Sequence, residues 1–241
     1  MLWWMITNKS KSWTGVMKSL LKSVSHMFAP TKITQQRDIA VNPPSITGPQ
    51  VIDATAGQGY LAGQLLVATP VIDSGCFQKS VIYMFAHSAE GAMGLIINQP
   101  LELVNYAALL EDMDLPKEAA DKQLPVYFGG PVERARGFVL HSTDYERDFS
   151  LIRTQDLAVT ASSTILQDMA ADRGPKDAAL VVGYAGWTPG QLEAEIEQNS
   201  WITVPATPEL VFHTENELKW ATASQSLGID MAFFSTTVGH A

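Results

Sequence analysis

Residues 183–201, GYAGWTPGQLEAEIEQNSW, constrain the fold of this chain more than any other stretch. The apolar run Ala178–Val182 just before them reads as a buried strand. Thr188 stands where a helix N-cap is expected, with Pro189 at the first helical position and Gln191 at the third. In that arrangement the Thr188 hydroxyl accepts from the Gln191 amide, and the Gln191 side chain reaches back. Leu192 and Ile196, four residues apart, give the helix one apolar stripe. Gly183, Gly186 and Gly190 fall where the backbone needs positive φ or a close approach, so a glycine-hinged turn is expected between strand and helix. Trp187 and Trp201 flank the helix and are expected to pack its two ends against the sheet. A glycine-rich turn entering a helix can bind an anion through free N–H groups. Glu193, Glu195 and Glu197 would repel a phosphate there, so a tight chain reversal is the favoured reading.

The bulk numbers bound the rest. A length of 241 residues suits one domain, or one domain with an extension. With 46% hydrophobic and 17% charged residues the chain can bury a sizeable core. No run reaches the ~18 apolar residues of a membrane-spanning helix. The single cysteine, Cys76, excludes an intrachain disulfide and any CxxC motif, which fits a reducing cytoplasm. The net charge of −9 is unevenly spread: residues 1–40 carry +5 and residues 41–241 carry −14. A body this acidic repels DNA phosphates, so direct nucleic-acid binding by the core is not expected.

Two regions follow from composition. Residues 1–59 form a basic, Lys- and Ser-rich extension with the loop-like NPPSITGPQ at 42–50. Within it, residues 12–28 carry apolar side chains at helical spacing opposite Lys18 and Lys22, a pattern suited to weak contact with an anionic membrane surface or to a transit peptide. A disordered segment is the competing reading. Residues 60–241 read as the folded domain. Strands are expected at 61–68, 80–86, 93–98, 126–128, 137–141, 151–160 and 178–182, with the pair 126–128 and 137–141 joined around GGPVERARG. Helices are expected at 105–113 and 163–173, after Thr188, after Thr207-Pro208, and after a Thr214–Glu217 capping box, the last ended by Gly228. Hairpin-paired strands with helices gathered late indicate an α+β domain.

The residues with chemical potential are few. His87 follows a strand and precedes a turn, so its ring is expected near the surface, where it could act as an acid or base. A turn histidine bonded to local backbone is the favoured alternative. His141 precedes Ser142, Thr143 and Asp144, but consecutive side chains on a strand point to opposite faces and cannot form a triad. Asn98 can orient a ligand, though an amide there more commonly caps a turn. Gly129, Gly130 and Pro131 make a sharp corner that can present N–H groups as an anion nest or simply turn the chain. Gly183, Gly186 and Trp187 complete the set of candidate ligand- or partner-binding residues. Cys76, with Lys79 three residues on, would need an external partner for redox chemistry. Gly57, Gly59 and Gly63 miss the dinucleotide spacing by one residue, and Ser19 with Lys22 lacks the companion motifs of an SxxK enzyme. No catalytic residue, metal ligand set or cofactor is assigned.

Four ordered blocks carry a resemblance: GQLLVATP at 63–70, SVIY at 80–83 with GAMGLIINQPL at 91–101, FGGPV at 128–132, and GYAGWTPGQLEAEI at 183–196. Together with the terminal Gly239, His240 and Ala241 they resemble the YqgE/AlgH family of bacterial proteins. The resemblance implies a single α+β domain with a bifurcated, barrel-like, mostly antiparallel sheet flanked by helices. It implies no agreed catalytic residues. Many relatives carry a cysteine where this chain has Phe85, so a family-wide thiol role does not transfer. The family's suggested role is transcriptional regulation, which an acidic body would exert indirectly. The expectation is therefore a cytoplasmic, non-enzymatic regulatory or interaction protein with an unknown protein partner. The alternative is a small-ligand-binding protein or enzyme using a pocket where FGGPV, INQP and GYAGW meet.

Overall fold

In the computed structural model the described residues are 60–101, 124–146, 150–162 and 164–228. The basic extension, the expected helix at 105–113 and the terminal Gly239–Ala241 lie outside them. Strands β1 (Gln64–Ala68), β2 (Val81–Ser88) and β3 (Gly91–Ile96) form an antiparallel meander. β4 (Val126–Phe128), β5 (Val132–Ser142), β6 (Ser150–Arg153) and β7 (Leu157–Thr160) follow. Then come α1 (Thr164–Ala170), β8 (Ala178–Trp187), α2 (Gln191–Glu197), β9 (Trp201–Pro205), a π-helical turn (Glu209–His213) and α3 (Asn216–Gln225). The sheet runs β6-β7-β5-β8-β3-β2-β1-β9, with β4 beside β8. It is one domain, a curled and largely antiparallel half-barrel with a few helices, as expected.

β8 is the organiser. β5 takes one of its edges, and the other is shared: β4 pairs parallel with Leu180–Val182, while β3 pairs antiparallel with Ala185–Trp187. The fork lies at Gly183, whose φ is 75°. One residue in this left-handed region shifts the alternation of the strand by one, as in a β-bulge. Before it Leu180 and Val182 face one core and Val181 the other; after it Tyr184 faces the second core and Ala185 and Trp187 the first. The two cores cover opposite faces of the sheet. β1 divides between them by strict alternation, Leu66 and Ala68 against Leu65 and Val67.

Several expectations are corrected. Residues 183–187 continue the strand and do not turn, because both sides of β8 offer ladder partners beyond Gly183. The stretches 126–128 and 137–141 do not pair with each other; each pairs with β8. Residues 151–160 form the hairpin β6–β7, broken where Thr154 bonds the Leu157 amide and carbonyl through its hydroxyl. The helix expected at 163–173 is regular only over Thr164–Ala170. Thr214 does not cap α3; its hydroxyl donates to the Glu209 carbonyl, and Glu215 holds the N-cap position. Thr207 does accept from the Leu210 amide, at the start of the π-helical turn; α3 ends at Gln225 with Ser226 as its C-cap, and Gly228, at φ 68°, closes the turn that follows.

Candidate functional site

Three motif corners converge at the fork. The segment after β3 runs beside β4: the Phe128 amide donates to the Gln99 carbonyl, the Leu101 amide to Val126, and Pro100 bridges Tyr127. The Gly129 amide donates to the Val182 carbonyl at 2.8 Å and its carbonyl accepts from Ile96 at 3.0 Å. Gly130, at φ 148°, lies so close to Tyr184 that a Cβ there would collide with the Tyr184 carbonyl group and the Ala185 nitrogen. A Cβ on Gly129 would strike the Gly183 carbonyl, and one on Gly183 would sit 2.6 Å from the Gly130 oxygen. FGGPV, INQP and GYAGW therefore meet, but backbone against backbone. The Gly129 N–H is already spent on the sheet. Asn98 caps a turn: its Oδ1 accepts from the Val81 amide and its Nδ2 donates to the Lys79 carbonyl. Gly186 is less crowded, with the Tyr184 ring 3.3 Å from its built Cβ.

The two histidines stand at opposite ends of β8. His141 pairs with Ala178, whereas His87 pairs with Ala92, which pairs with Trp187. Nine residues of strand separate them by about 30 Å. His141 is fully buried; its Nδ1 donates to the Ser142 carbonyl and its Nε2 accepts from the Thr160 hydroxyl, both at 2.9 Å. Burial lowers its pKa, and the ring is held neutral. Ser142 faces away, bonding the Asp144 carboxylate and the Asp177 amide, so no triad assembles.

His87 corrects the expectation of a surface ring. Its side chain is 3% exposed, because β2 extends through Ser88 and the segment before β1 and helix α2 cover it. Nδ1 accepts from the Leu61 amide at 3.0 Å, and Nε2 pairs with Glu193 Oε1 at 2.9 Å. Glu193's carboxyl is held below its ordinary range by a backbone hydrogen bond and by His87.

The start of α2 resolves the signature. The Thr188 amide donates to Gln191 Oε1 at 3.1 Å, the reach-back half of the capping box. The other half differs: the Thr188 hydroxyl bonds the same oxygen, and the Gln191 amide donates to the Thr188 carbonyl. Gly190, at φ 73°, occupies the N-cap position. Trp187 and Trp201 do not clamp opposite ends of the helix. Both indole N–H groups donate to Glu195 Oε2 at 2.8 Å, and the rings meet edge to face at 6.0 Å. Gln191 Nε2 donates to the other Glu195 oxygen at 2.9 Å.

One polar centre was not visible in the sequence. Lys219 of α3 is 1% exposed, and its ammonium donates to the Ile97 carbonyl at 3.0 Å and the Tyr127 hydroxyl at 3.2 Å. Burial pushes its pKa down from 10.5 to about 8. No motif marks this lysine; only its register with Ala223, one turn on and fully buried, puts it on the inward face. Between pH 8 and 10.5 the unfolded chain binds the proton that the folded chain has released, so stability rises with pH. Burial raises the pKa of Tyr83, Tyr127 and Tyr184, the last to about 12, so above pH ~10 their ionisation in the unfolded chain reverses the trend. Urea denaturation should gain about 2 kcal/mol from pH 7 to pH ~10, and Lys219→Met should flatten that rise. An equal rise in the variant would assign it to other groups.

A separate cleft of about 220 Å³ opens between β4, the end of α1 and the start of β8, lined by Tyr127, Met169, Pro175, Lys176, Asp177 and Phe212. None of the candidate residues lines it. Among the described residues no cluster of His, Cys, Asp and Glu has metal-binding geometry, and no helix is long and apolar enough to cross a membrane.

A forked, curled sheet whose motif glycines knit its two branches together defines an α+β class with little chemistry at its corners. The AlgH-like family (DUF179) matches residues 65–232, and the chain belongs to that family. It is 50% identical over 183 residues to a UPF0301 protein of Jannaschia sp., covering 75% of this chain and 95% of that protein. It is 48% identical to a UPF0301 protein of Ruegeria pomeroyi, covering 75% and 99%. The solution structure of AlgH from Pseudomonas aeruginosa superposes with a TM-score of 0.62 at 36% identity, over 77% of this chain and 98% of that one. A crystal structure of a Corynebacterium diphtheriae protein, at 21% identity, shares the fold with a TM-score of 0.57, covering 78% and 100%.

Proposed function

We propose that this protein is a non-enzymatic, cytoplasmic regulatory or interaction protein that influences gene expression through a protein partner. The observation that carries this reading is the backbone-on-backbone contact of Gly129 and Gly130 with Gly183 and Tyr184. The glycines of FGGPV and GYAGW lie in direct backbone contact at the fork, which leaves little space for a reagent between them. The charge of −14 over residues 41–241 supports an indirect route to DNA. The single cysteine fits a reducing compartment. A second reading, a small ligand held by the three corners, gains support from their convergence but loses it to the crowding there.

The test is DNA retention by the full chain at low salt, with random-sequence competitor. Weak, sequence-indifferent retention that disappears when residues 1–59 are removed is expected, since only that segment is basic. Sequence-specific retention by residues 60–241 would overturn the indirect route.

A further inference from the structure

We propose that His87 is a protonation-controlled latch that ties residues 60–61, the junction with the basic segment 1–59, to the folded domain. The Leu61 N–H can only donate, so Nδ1 of His87 must be bare to accept it, and the ring's one proton sits on Nε2 toward Glu193. A second proton on Nδ1 would set two N–H groups against each other at 3.0 Å and abolish the Leu61 bond. The Nε2 contact responds in the opposite sense, because an imidazolium is held more strongly by the Glu193 carboxylate than a neutral ring. One protonation thus releases the junction and tightens α2 on β2.

The groups around the ring leave this exchange unopposed. From α2 comes the Glu193 carboxylate; from the segment before β1 come the Leu61 amide and the Tyr60 ring, edge-on at 5.1 Å. Across the ladder on β3 stands the uncharged Ala92, and Glu90 lies exposed at the hairpin tip. Release is bounded on the domain side. The Gly63 amide donates to the Met84 carbonyl at 2.7 Å, the Gln64 amide donates to the Leu61 carbonyl at 3.0 Å, and Leu61 packs on the first core, so β1 and the turn before it stay in place while the Leu61 N–H and the residues preceding it are freed. Tyr60 is 44% exposed and offers little resistance. Imidazole is the side chain whose charge ordinarily changes between pH 5 and 8, which sets the interval over which the latch is tested.

The experiment is amide hydrogen exchange on the full chain from pH 8 to pH 5, corrected for the intrinsic pH dependence of exchange. Protection at Leu61 should fall about tenfold or more over this range, as expected for loss of one backbone hydrogen bond, while protection at Leu66 and Val181 holds. His87→Phe should leave Leu61 unprotected at every pH with the core amides still slow. Glu193→Gln should move the transition to lower pH, since the imidazolium loses its counter-charge. Protection at Leu61 that is constant with pH, or a transition that survives in His87→Phe, would overturn the latch. If His87→Phe fails to fold, an unmoved midpoint in Glu193→Gln overturns it equally.

Discussion

Gly130→Ala should yield no folded domain. At φ 148° the added Cβ points into the Tyr184 carbonyl group and the Ala185 nitrogen, and these are backbone atoms of the central strand that no rotamer change can move. Relief requires β4 and the following corner to lift away from β8, which breaks the Gly129–Val182 hydrogen bond and the parallel pairing of Val126–Phe128 with Leu180–Val182. A strained φ alone costs ~1–3 kcal/mol. Adding the separated ladder brings the loss to more than ~5 kcal/mol, against a total of ~5–15 for a domain. Gly190→Ala is the control. It also has positive φ, but nothing lies within 4 Å of its built Cβ, so only ~1 kcal/mol should be lost. Circular dichroism and urea denaturation of the two variants decide the matter. Equal stabilities would mean that the corner does not need its close approach, and an anion nest at Gly129–Gly130 would regain interest.

Trp187→Ala should remove soluble expression. The ring is 4% exposed, packs edge to face on Trp201, and shares with it the Glu195 carboxylate. Truncating a buried tryptophan costs ~3–5 kcal/mol in packing. A further ~1–3 kcal/mol follows from leaving Glu195 with one indole donor fewer. Trp187→Phe keeps most of the buried ring and loses the N–H, so it should fold with a lowered midpoint. Thermal melts and soluble yield distinguish the pair, and recovery of a stable Trp187→Ala domain would sink the expectation. Trp201→Phe should behave like Trp187→Phe, since both indoles reach the same oxygen.

Why the signature combines two tryptophans with alternating glutamates becomes clear only at Glu195. Read along the chain, Glu193, Glu195 and Glu197 are three like charges that would repel a phosphate at the helix start. In the fold they part company: Glu193 turns to His87, Glu195 turns inward to two indoles, and Glu197 remains exposed. Spacing along a helix places side chains around it but does not say which strand waits on each side. The same limit applied to His87. Its position at a strand end was legible, whereas its burial depended on a helix more than a hundred residues away.

Local rules carried the elements whose partners are near in the chain. The β2–β3 hairpin, the Gln191 reach-back at α2 and the Thr207 boundary rest on short-range sterics, turn chemistry or alternation, which the residues themselves encode, whereas the need for glycine at 129, 130 and 183 comes from strands more than fifty residues apart. What the tertiary structure alone decided is everything requiring a distant strand. β4 lies parallel to β8 because Leu180–Val182 offers an open edge there, and Gly183 bends a strand instead of ending it because β3 awaits beyond the bulge. The two histidines are parted by the length of β8, and Lys219 is buried because α3 closes over Ile97 and Tyr127. Non-local pairing depends on contacts that no window of sequence contains, and that is why FGGPV, INQP and GYAGW could be read as ordered marks before their meeting at the β8 fork could be seen.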